Sequence, residues 1–349
     1  MDSGRVICRE LATHSEVRAL ERQWRLLWTH DPEATPFQSF DWIDAWLTHY
    51  RHYWKSLCFI VCEEDGRAVG IAPLYVRRRS LLRGRTSALL FVGTGEDERD
   101  ESFAEYMAPL CLPEYRSICN SLFHEQISRR NRREQIEFLR VRADLTEPLI
   151  QEFRESQKKC VSHVLGANYV MPTGLDNALA SIGSKQRNSL KRKMKRLRNL
   201  PGFCVEVADD EASRLTFFAQ LVELHNRSWQ SRGRPGAFSA STFIAFHDQV
   251  TKAFMKQNQL LLARISSDDG VVAVIYGLCD RYACRYYQSG IMLGSQAALS
   301  PGLVSHLLVA DIAAERGLTT YDLMLSSASG YKARLGQRDS ILYSYLLSA

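Results

Sequence analysis

The chain has 349 residues, 45% of them hydrophobic and 24% charged, with a formal net charge of +6. That length suits one large or two medium domains, and the apolar fraction is ample for an ordinary packed core. Residues 1–10 are too polar for a secretory leader and no apolar run is long enough to cross a bilayer, so the expectation is a soluble globular protein of the cytoplasm.

The nine cysteines are odd in number and scattered, with no Cys-x-x-Cys and no Cys/His cluster at metal spacing. They imply a reducing compartment and no structural metal. Cys58 and Cys62 share one face of an expected strand, where small buried thiols are the ordinary reading.

In chain order, Val17, Leu20, Trp24, Leu27 and Trp28 recur at helical spacing between Ser15 and His30, and Asp31-Pro32 ends that helix. Ser39 is placed to cap a second helix running to Tyr50, with Trp42, Ile43, Trp46 and Leu47 on its apolar face. The tryptophans read as core, an aromatic platform for a ligand being the rarer use of such a stripe. A hairpin follows: Leu57 to Glu63, a turn at Glu64-Asp65-Gly66, then Ala68 to Val76. The stretch Gly93 to Glu101, rich in glycine and acid, reads as an exposed loop, and Glu105-Tyr106 follows it. A helix is expected from Pro113 to Arg130, a strand from Gln135 to Val141, and a helix from Thr146 to Lys159 with Lys158-Lys159 at its end. Turn formers concentrate between Gly166 and Gly183, which places the domain boundary there: residues 1–170 and residues 171–349.

Immediately afterwards, Ser184 to Asn199 carries eight basic residues and no acid, with Leu190, Met194 and Leu197 on one face and Pro201-Gly202 as a stop. Three readings of this basic amphipathic helix stand: a solvated helix docked through its apolar face; attraction to an anionic partner such as a phosphate-bearing ligand or RNA; weak contact with an anionic membrane surface. The run has no aromatic residues to stack on bases. Ala212 to Gln230 is a long helix in which His225 and Trp229, four apart, face the same way. A second hairpin joins Leu260–Ser266 to Val271–Cys279 through Asp268-Asp269-Gly270. It parallels the first hairpin, since each follows two helices, and this suggests an internal duplication of one α/β unit.

Tyr282 to Met292 reads as a strand, and after it comes Ser300-Pro301-Gly302. Ser300 suits an N-cap and Pro301 the first helical position. Gly302 leaves bare backbone, so the N–H groups of Gly302, Leu303 and Val304 can meet an anion at the positive end of the helix. The helix is expected to be amphipathic, with Leu303, Val304, Leu307, Leu308 and Ile312 apolar, Asp311, Glu315 and Arg316 polar, and Gly317 as its stop. Leu318–Leu325 and Ser340–Leu347 are the last strands, separated by a segment bearing Tyr331 and Lys332.

The motifs Leu224-His225-Asn226-Arg227-Ser228-Trp229, Arg232-Gly233, the hairpin with Ala273, Ser300-Pro301-Gly302, Gly317, Tyr321-Asp322 and Tyr331-Lys332, in this order over about the last half of the chain, resemble the GNAT acyltransferase superfamily. More narrowly the chain is similar to the double-GNAT acetyltransferases of cellulose or exopolysaccharide synthesis, relatives of the FemABX peptidyltransferases. The resemblance implies an α/β (α+β) fold of two tandem GNAT-like units, each a mixed sheet flanked by helices. Only the second would hold the donor, because the first lacks a serine-proline-glycine helix start.

Acetyl-CoA is the implied co-substrate, without a metal. Its pyrophosphate would sit on the Ser300–Val304 turn and its pantetheine arm between splayed strands. Backbone N–H groups near Gln288, Ser289 and Gly290 would polarise the thioester carbonyl, and either Tyr331 would protonate the departing thiolate or Lys332 would instead neutralise negative charge, as in FemABX-like sites. On the acceptor side the resemblance brings forward Glu96, Glu105, His225, Arg227, Trp229 and Arg232. The implied function is acyl transfer to an amine or hydroxyl, with a sugar or cell-envelope intermediate as acceptor. Two alternatives remain: aminoacyl transfer from a charged tRNA in the FemABX manner, the only reading that calls for nucleic acid, and a GNAT-like fold that has lost catalysis and acts as an interaction module.

Overall fold

The computed structural model describes residues 5–78, 87–130, 135–156, 159–294 and 298–348. The chain forms two compact units, one from Met1–Leu165 with Ile341–Ala349 and the other from Gly166–Ser340. No helix among the described residues is long and apolar enough to cross a membrane.

The first unit contains β1 (Ile7–Leu11), α1 (His14–Ala19), α2 (Glu21–His30), α3 (Phe40–His49), β2 (Trp54–Glu64), β3 (Arg67–Arg77), β4 (Ala88–Phe91), β5 (Leu110–Cys111), α4 (Arg116–Arg129), β6 (Gln135–Arg142) and α5 (Ala143–Glu155). Strand β7 (Lys159–Pro172) carries the chain into the second unit, which contains α6 (Leu175–Ala180), α7 (Ser184–Arg198), β8 (Cys204–Val207), α8 (Glu211–Gln230), α9 (Ser241–Lys256), β9 (Leu260–Ser267), β10 (Gly270–Cys279), β11 (Ala283–Ile291), α10 (Pro301–Glu315), β12 (Thr320–Ser326) and α11 (Lys332–Leu335). Strand β13 (Gln337–Ser348) returns the chain to the first unit.

The two units share one strand plan. In the first, β1, β2, β3 and β4 are successively antiparallel, β6 lies parallel to β4, and β13 is antiparallel to β6. In the second, β8, β9, β10 and β11 are successively antiparallel, β12 lies parallel to β11, and β7 is antiparallel to β12. The expected duplication is therefore visible as topology. The match extends to helices, since α4 occupies in the first unit the chain position that α10 occupies in the second.

Several local expectations shift. The helix over 15–30 is two helices, α1 and α2, which meet at Leu20. Ser39 does cap α3, accepting from the Trp42 N–H at 3.3 Å. The tryptophans Trp24, Trp42 and Trp46 are core residues. The helix expected to reach Lys159 ends at Glu155, Lys158 lies outside the described residues, and Lys159 opens β7. Cys62, expected as a buried thiol, is disulfide-bonded to Cys8 directly opposite it across β1 and β2. The register of the pair brings the two sulfurs together, and that register is not readable from the spacing of the cysteines.

In the second unit the alternation of the strands divides the core. Leu261, Ala263, Ile265, Ala273 and Ile275 face α10, α6 and α7. The opposite face of the sheet is covered by α8 and α9. Basic α7 docks as its spacing predicts, through buried Leu190, Met194 and Leu197. Helix α10 departs from the amphipathic expectation: Val304 through Ala310 are buried without a break, because the sheet covers one side and α6 and α7 the other. Even Asp311 serves packing, accepting the Leu175 N–H at the start of α6 at 2.8 Å.

The parallel pair β11/β12 joins only Ala283, Cys284 and Arg285 to Thr320, Tyr321 and Asp322. At the end of this short ladder Arg285 is clamped between two nearly buried carboxylates, Asp322 at 2.5 Å and Asp280 at 2.7 Å. Removing one partner of such a group strands the others in a low-dielectric site. Arg285→Met should lower unfolding free energy by about 3–5 kcal/mol in urea titration; a loss below about 1 kcal/mol would show that the clamp is incidental.

Candidate active site

Beyond Arg285 and Asp322 the two strands part, β11 staying with β10 and β12 with β7. Two local distortions produce the parting. In β11, Tyr286 pairs with Gly277 and Gln288 with Tyr276, so Tyr287 is the extra residue of a bulge. It turns to the α9 side, where its hydroxyl meets His247 Nε2 at 2.9 Å. In β12 the pairing to β7 slips between Asp322 and Leu325, with Met324 in a left-handed conformation (φ +63°) and its N–H donated to Asp322 Oδ1 at 2.7 Å. Parting leaves strand backbone without its usual partner, and the Ser289 carbonyl finds His225 instead, which donates from Nδ1 at 3.0 Å.

The turn expected to bind an anion stands at the open end of the parted strands. A Cβ on Gly302 would come no closer than 3.7 Å to Ile291, the last residue of β11, so that side of the turn is free of crowding. Helix α10 starts at Pro301 as expected, but Ser300 does not cap it with its side chain. Ser300 sits in the left-handed region (φ +49°), which costs a non-glycine residue energy, and its hydroxyl accepts from Lys193 Nζ at 2.6 Å. The Val304 N–H is spent on the Ser300 carbonyl, the first bond of the helix. The Gly302 and Leu303 N–H groups have no hydrogen-bond partner among the described residues. Gly317 ends α10 with φ +78°.

A turn and a half into α10, His306 lies under Tyr331. Its Nδ1 is 3.0 Å from the Tyr321 hydroxyl and its Nε2 3.3 Å from the Tyr331 hydroxyl, with the Tyr331 ring stacked on the imidazole. The fully buried Tyr321 hydroxyl must donate its proton, and among the described residues its partner is Nδ1. Nε2 therefore carries the hydrogen and donates to the Tyr331 oxygen, while the Tyr331 hydroxyl is also hydrogen-bonded to Tyr286. Burial pushes His306 down to about 3, with Lys332 adding to the effect, so the imidazole is neutral. Burial likewise raises Tyr331, which keeps its proton. Tyr286 joins the group: its hydroxyl is 2.7 Å from Ser289 Oγ, its ring meets His306 edge-on, and Lys332 Nζ stands 5.2 Å from its centroid while donating to the Leu325 carbonyl at 3.1 Å.

Of the residues named from sequence, the structure thus gathers Ser289, Tyr331 and Lys332 in one polar cluster, with Ser300, Gly302, Leu303 and Val304 at the far end of α10 from Gly317. Gly290 meets α8: a Cβ there would lie 2.7 Å from Leu224 Cβ and 2.8 Å from the Leu221 carbonyl, so its bare backbone is what lets the helix lie on the strand. Gln288 neighbours the bulge. His225 uses both ring nitrogens on backbone, since Nε2 also accepts the Ala237 N–H at 3.3 Å. Trp229 packs beside it and under Arg232, whereas Arg227 is exposed and paired with Glu223.

Glu96 and Glu105 lie in the first unit. Glu96 Oε1 accepts from Trp46 Nε1 and, at 2.9 Å, from Ser102 Oγ, while its buried Oε2 has no partner among the described residues; desolvation raises its pKa. Glu105 is buried 3.6 Å from Arg140. Sequence reasoning missed His306, because a histidine inside an apolar helix reads as core and its partners lie 15 and 25 residues downstream.

Residues 184–333 match the family model described as an acetyltransferase (GNAT) domain. No curated protein matches the chain in sequence. Among solved structures, the chain is similar to FemX (12% identity, 98% of this chain and 96% of that chain, TM-score 0.63). It is also similar to a conserved protein of unknown function from Bacteroides thetaiotaomicron (9%, 98% and 99%, TM-score 0.57) and to L-PGS from Bacillus licheniformis (12%, 88% and 90%, TM-score 0.52). The fold is an α/β fold shared with FemX over nearly the whole of both chains, and the match to the GNAT domain model lies within the second unit.

Two measurements probe the buried groups. An unfolded histidine takes a proton near pH 6.5 but folded His306 only near pH 3, so the stability this group contributes is present above about pH 6.5 and lost as pH falls. His306→Gln cannot titrate, and the stability gap between wild type and variant should narrow by up to about 1.4 kcal/mol per pH unit between about pH 6 and 4 in urea titrations. A constant gap would mean His306 is not held neutral. For Glu96 the sign reverses, because a raised carboxyl loses stability as pH rises. Glu96→Gln should gain thermal stability relative to wild type as pH rises from 5 to about 8, and no change in that difference would show that the carboxyl is solvated.

Proposed function

We propose that the protein transfers an acyl group, acetyl foremost, from acyl-CoA to an amine or hydroxyl acceptor. The observation that carries this reading is the coincidence of parted parallel strands with two unbonded N–H groups at their open end, on a helix whose glycine leaves the approach clear. Such a turn suits a diphosphate, and the gap between β11 and β12 suits an extended arm.

In the reaction the acceptor nitrogen or oxygen bonds to the thioester carbon, the carbon–sulfur bond breaks, and the acceptor loses a proton while the sulfur gains one. Tyr331, kept protonated by burial and held between His306 and Tyr286, donates to the sulfur. Backbone along Gln288–Gly290 stabilises charge on the carbonyl oxygen, and Lys332 adds positive charge beside Tyr286. Within the second unit Trp229 and Arg232 are the acceptor-side candidates, and a sugar or cell-envelope intermediate is the acceptor class the resemblance favours. N-acetylation of an amine is the leading chemistry.

One feature favours the tRNA-dependent reading: none of the eight basic side chains of α7 forms an ion pair among the described residues. Filter binding separates the two, since tight, salt-sensitive tRNA binding without affinity for acetyl-CoA would replace the CoA reading.

The turn gives the direct test. Gly302→Val adds two methyls where the diphosphate would lie, on a site where the first carbon fits. Calorimetric affinity for acetyl-CoA should fall by at least ~100-fold, about 2.7 kcal/mol, with the thermal midpoint of the free protein little changed. Equal affinity in the variant would remove the donor from this turn.

A further inference from the structure

Beside the turn, entirely within the second unit, lies a cavity of about 630 Å³ lined by Gly183, Lys185, Ser189, Lys193, Leu303 and Arg334, among others. It contains no acidic residue. Lys185 and Arg334 are exposed and have neither a hydrogen bond nor an ion pair among the described residues. By contrast the arginines Arg214, Arg264 and Arg285 of the same unit are all held by carboxylates. Gly183 is the N-cap of α7, and the N–H groups of Ser184, Lys185 and Gln186 lack partners among the described residues. The cavity therefore combines unpaired cations from two elements with the positive end of a fifteen-residue helix.

Its relation to the turn is fixed by shared residues. Leu303 belongs to both, and Lys193 lines the cavity while its Nζ holds the Ser300 hydroxyl. Gly302 faces Ile291 and the parted strands; Leu303, one residue on, borders the cavity. A ligand with its diphosphate on the turn thus has a second anion-binding chamber within reach of its nucleotide end.

We infer that this cavity holds the 3′-phosphate of the nucleotide end of acyl-CoA, with Lys185 and Arg334 as its ligands. The inference rests on the acyl-CoA reading above and deepens it. It makes the second unit selective for free CoA thioesters over donors that carry phosphopantetheine without the 3′-phosphorylated nucleotide. The dianionic phosphomonoester suits the site because two cations and helix N–H groups converge there and no carboxylate opposes them.

Isothermal titration of the full chain with acetyl-CoA and with 3′-dephospho-acetyl-CoA tests this. The wild type should prefer acetyl-CoA by at least about tenfold, since a hydrogen bond to a charged group contributes that much, and the preference should shrink as salt is raised. In Lys185→Ala/Arg334→Ala the preference should collapse towards one, because affinity for acetyl-CoA falls while that for the dephospho compound stays put. If the wild type binds both compounds equally well, or the double variant keeps the preference, the assignment of the cavity is overturned while the acyl-CoA reading stands. If neither compound binds, that reading fails and the cavity assignment with it. Because the wild-type comparison needs no variant, it decides the matter even if the double variant does not fold.

Discussion

Two parallel strands that stay together for three residues and then separate are the constraint on which the second unit is built. A β-ladder is cooperative, and separating it in the interior of a domain exposes backbone groups that have to be met by something else. Here the closed end is held by Arg285 between Asp280 and Asp322, and the open side is maintained by a bulge at Tyr287 and a left-handed Met324. His225, one of the residues the resemblance brings to the acceptor side, spends both nitrogens on keeping neighbouring backbone satisfied. The opening is thus maintained by packing on both sides of the sheet, and α10 is aimed at it: one helix supplies the bare N–H groups at its start and His306 beneath Tyr331 further along.

The first unit shows what happens to the same plan without that arrangement. Its parallel pair, β4 and β6, is also short, joining Ala88–Leu90 to Gln135–Glu137. Further along β6 its own chain moves in: Met107 forms a parallel bridge to Val141 and donates its N–H to the Arg140 carbonyl at 3.0 Å, while Gln38 secures the neighbouring Tyr106 carbonyl. The segment between β4 and α4 is long, and that length is what allows the chain to fold back against β6. Where the second unit has an opening, the first has polypeptide.

Much of this was legible in the residues. The hairpins, the docking face of α7 and the start and stop of α10 follow from turn chemistry and spacing, which act over a few residues. The duplication was readable as two similar hairpins, and strand order makes it plain. What spacing could not supply depends on tertiary neighbours. Asp311 looked like the polar face of an amphipathic helix, yet it serves the start of α6. Ser300 has the composition of a cap, yet Lys193, 107 positions earlier, takes its hydroxyl in a conformation serine seldom adopts. His306 gains meaning only from Tyr321 and Tyr331, and Arg334 only from the chamber it shares with α7. Lys185 and Lys193 were part of a conspicuous basic run, but nothing in that run distinguished them from its six other cations.

The order in which the chain supplies β7 and β13 has a bearing on biosynthesis. The sheet of each unit is finished by a strand that follows or precedes the rest of that unit in the chain: residues 167–172 complete the second, and 342–347 complete the first. A ribosome therefore delivers nearly all of the first unit long before its closing strand, and until then β6 presents an open edge of the kind that invites wrong pairing. The N-terminal half has to wait, unfinished, while the C-terminal half is made.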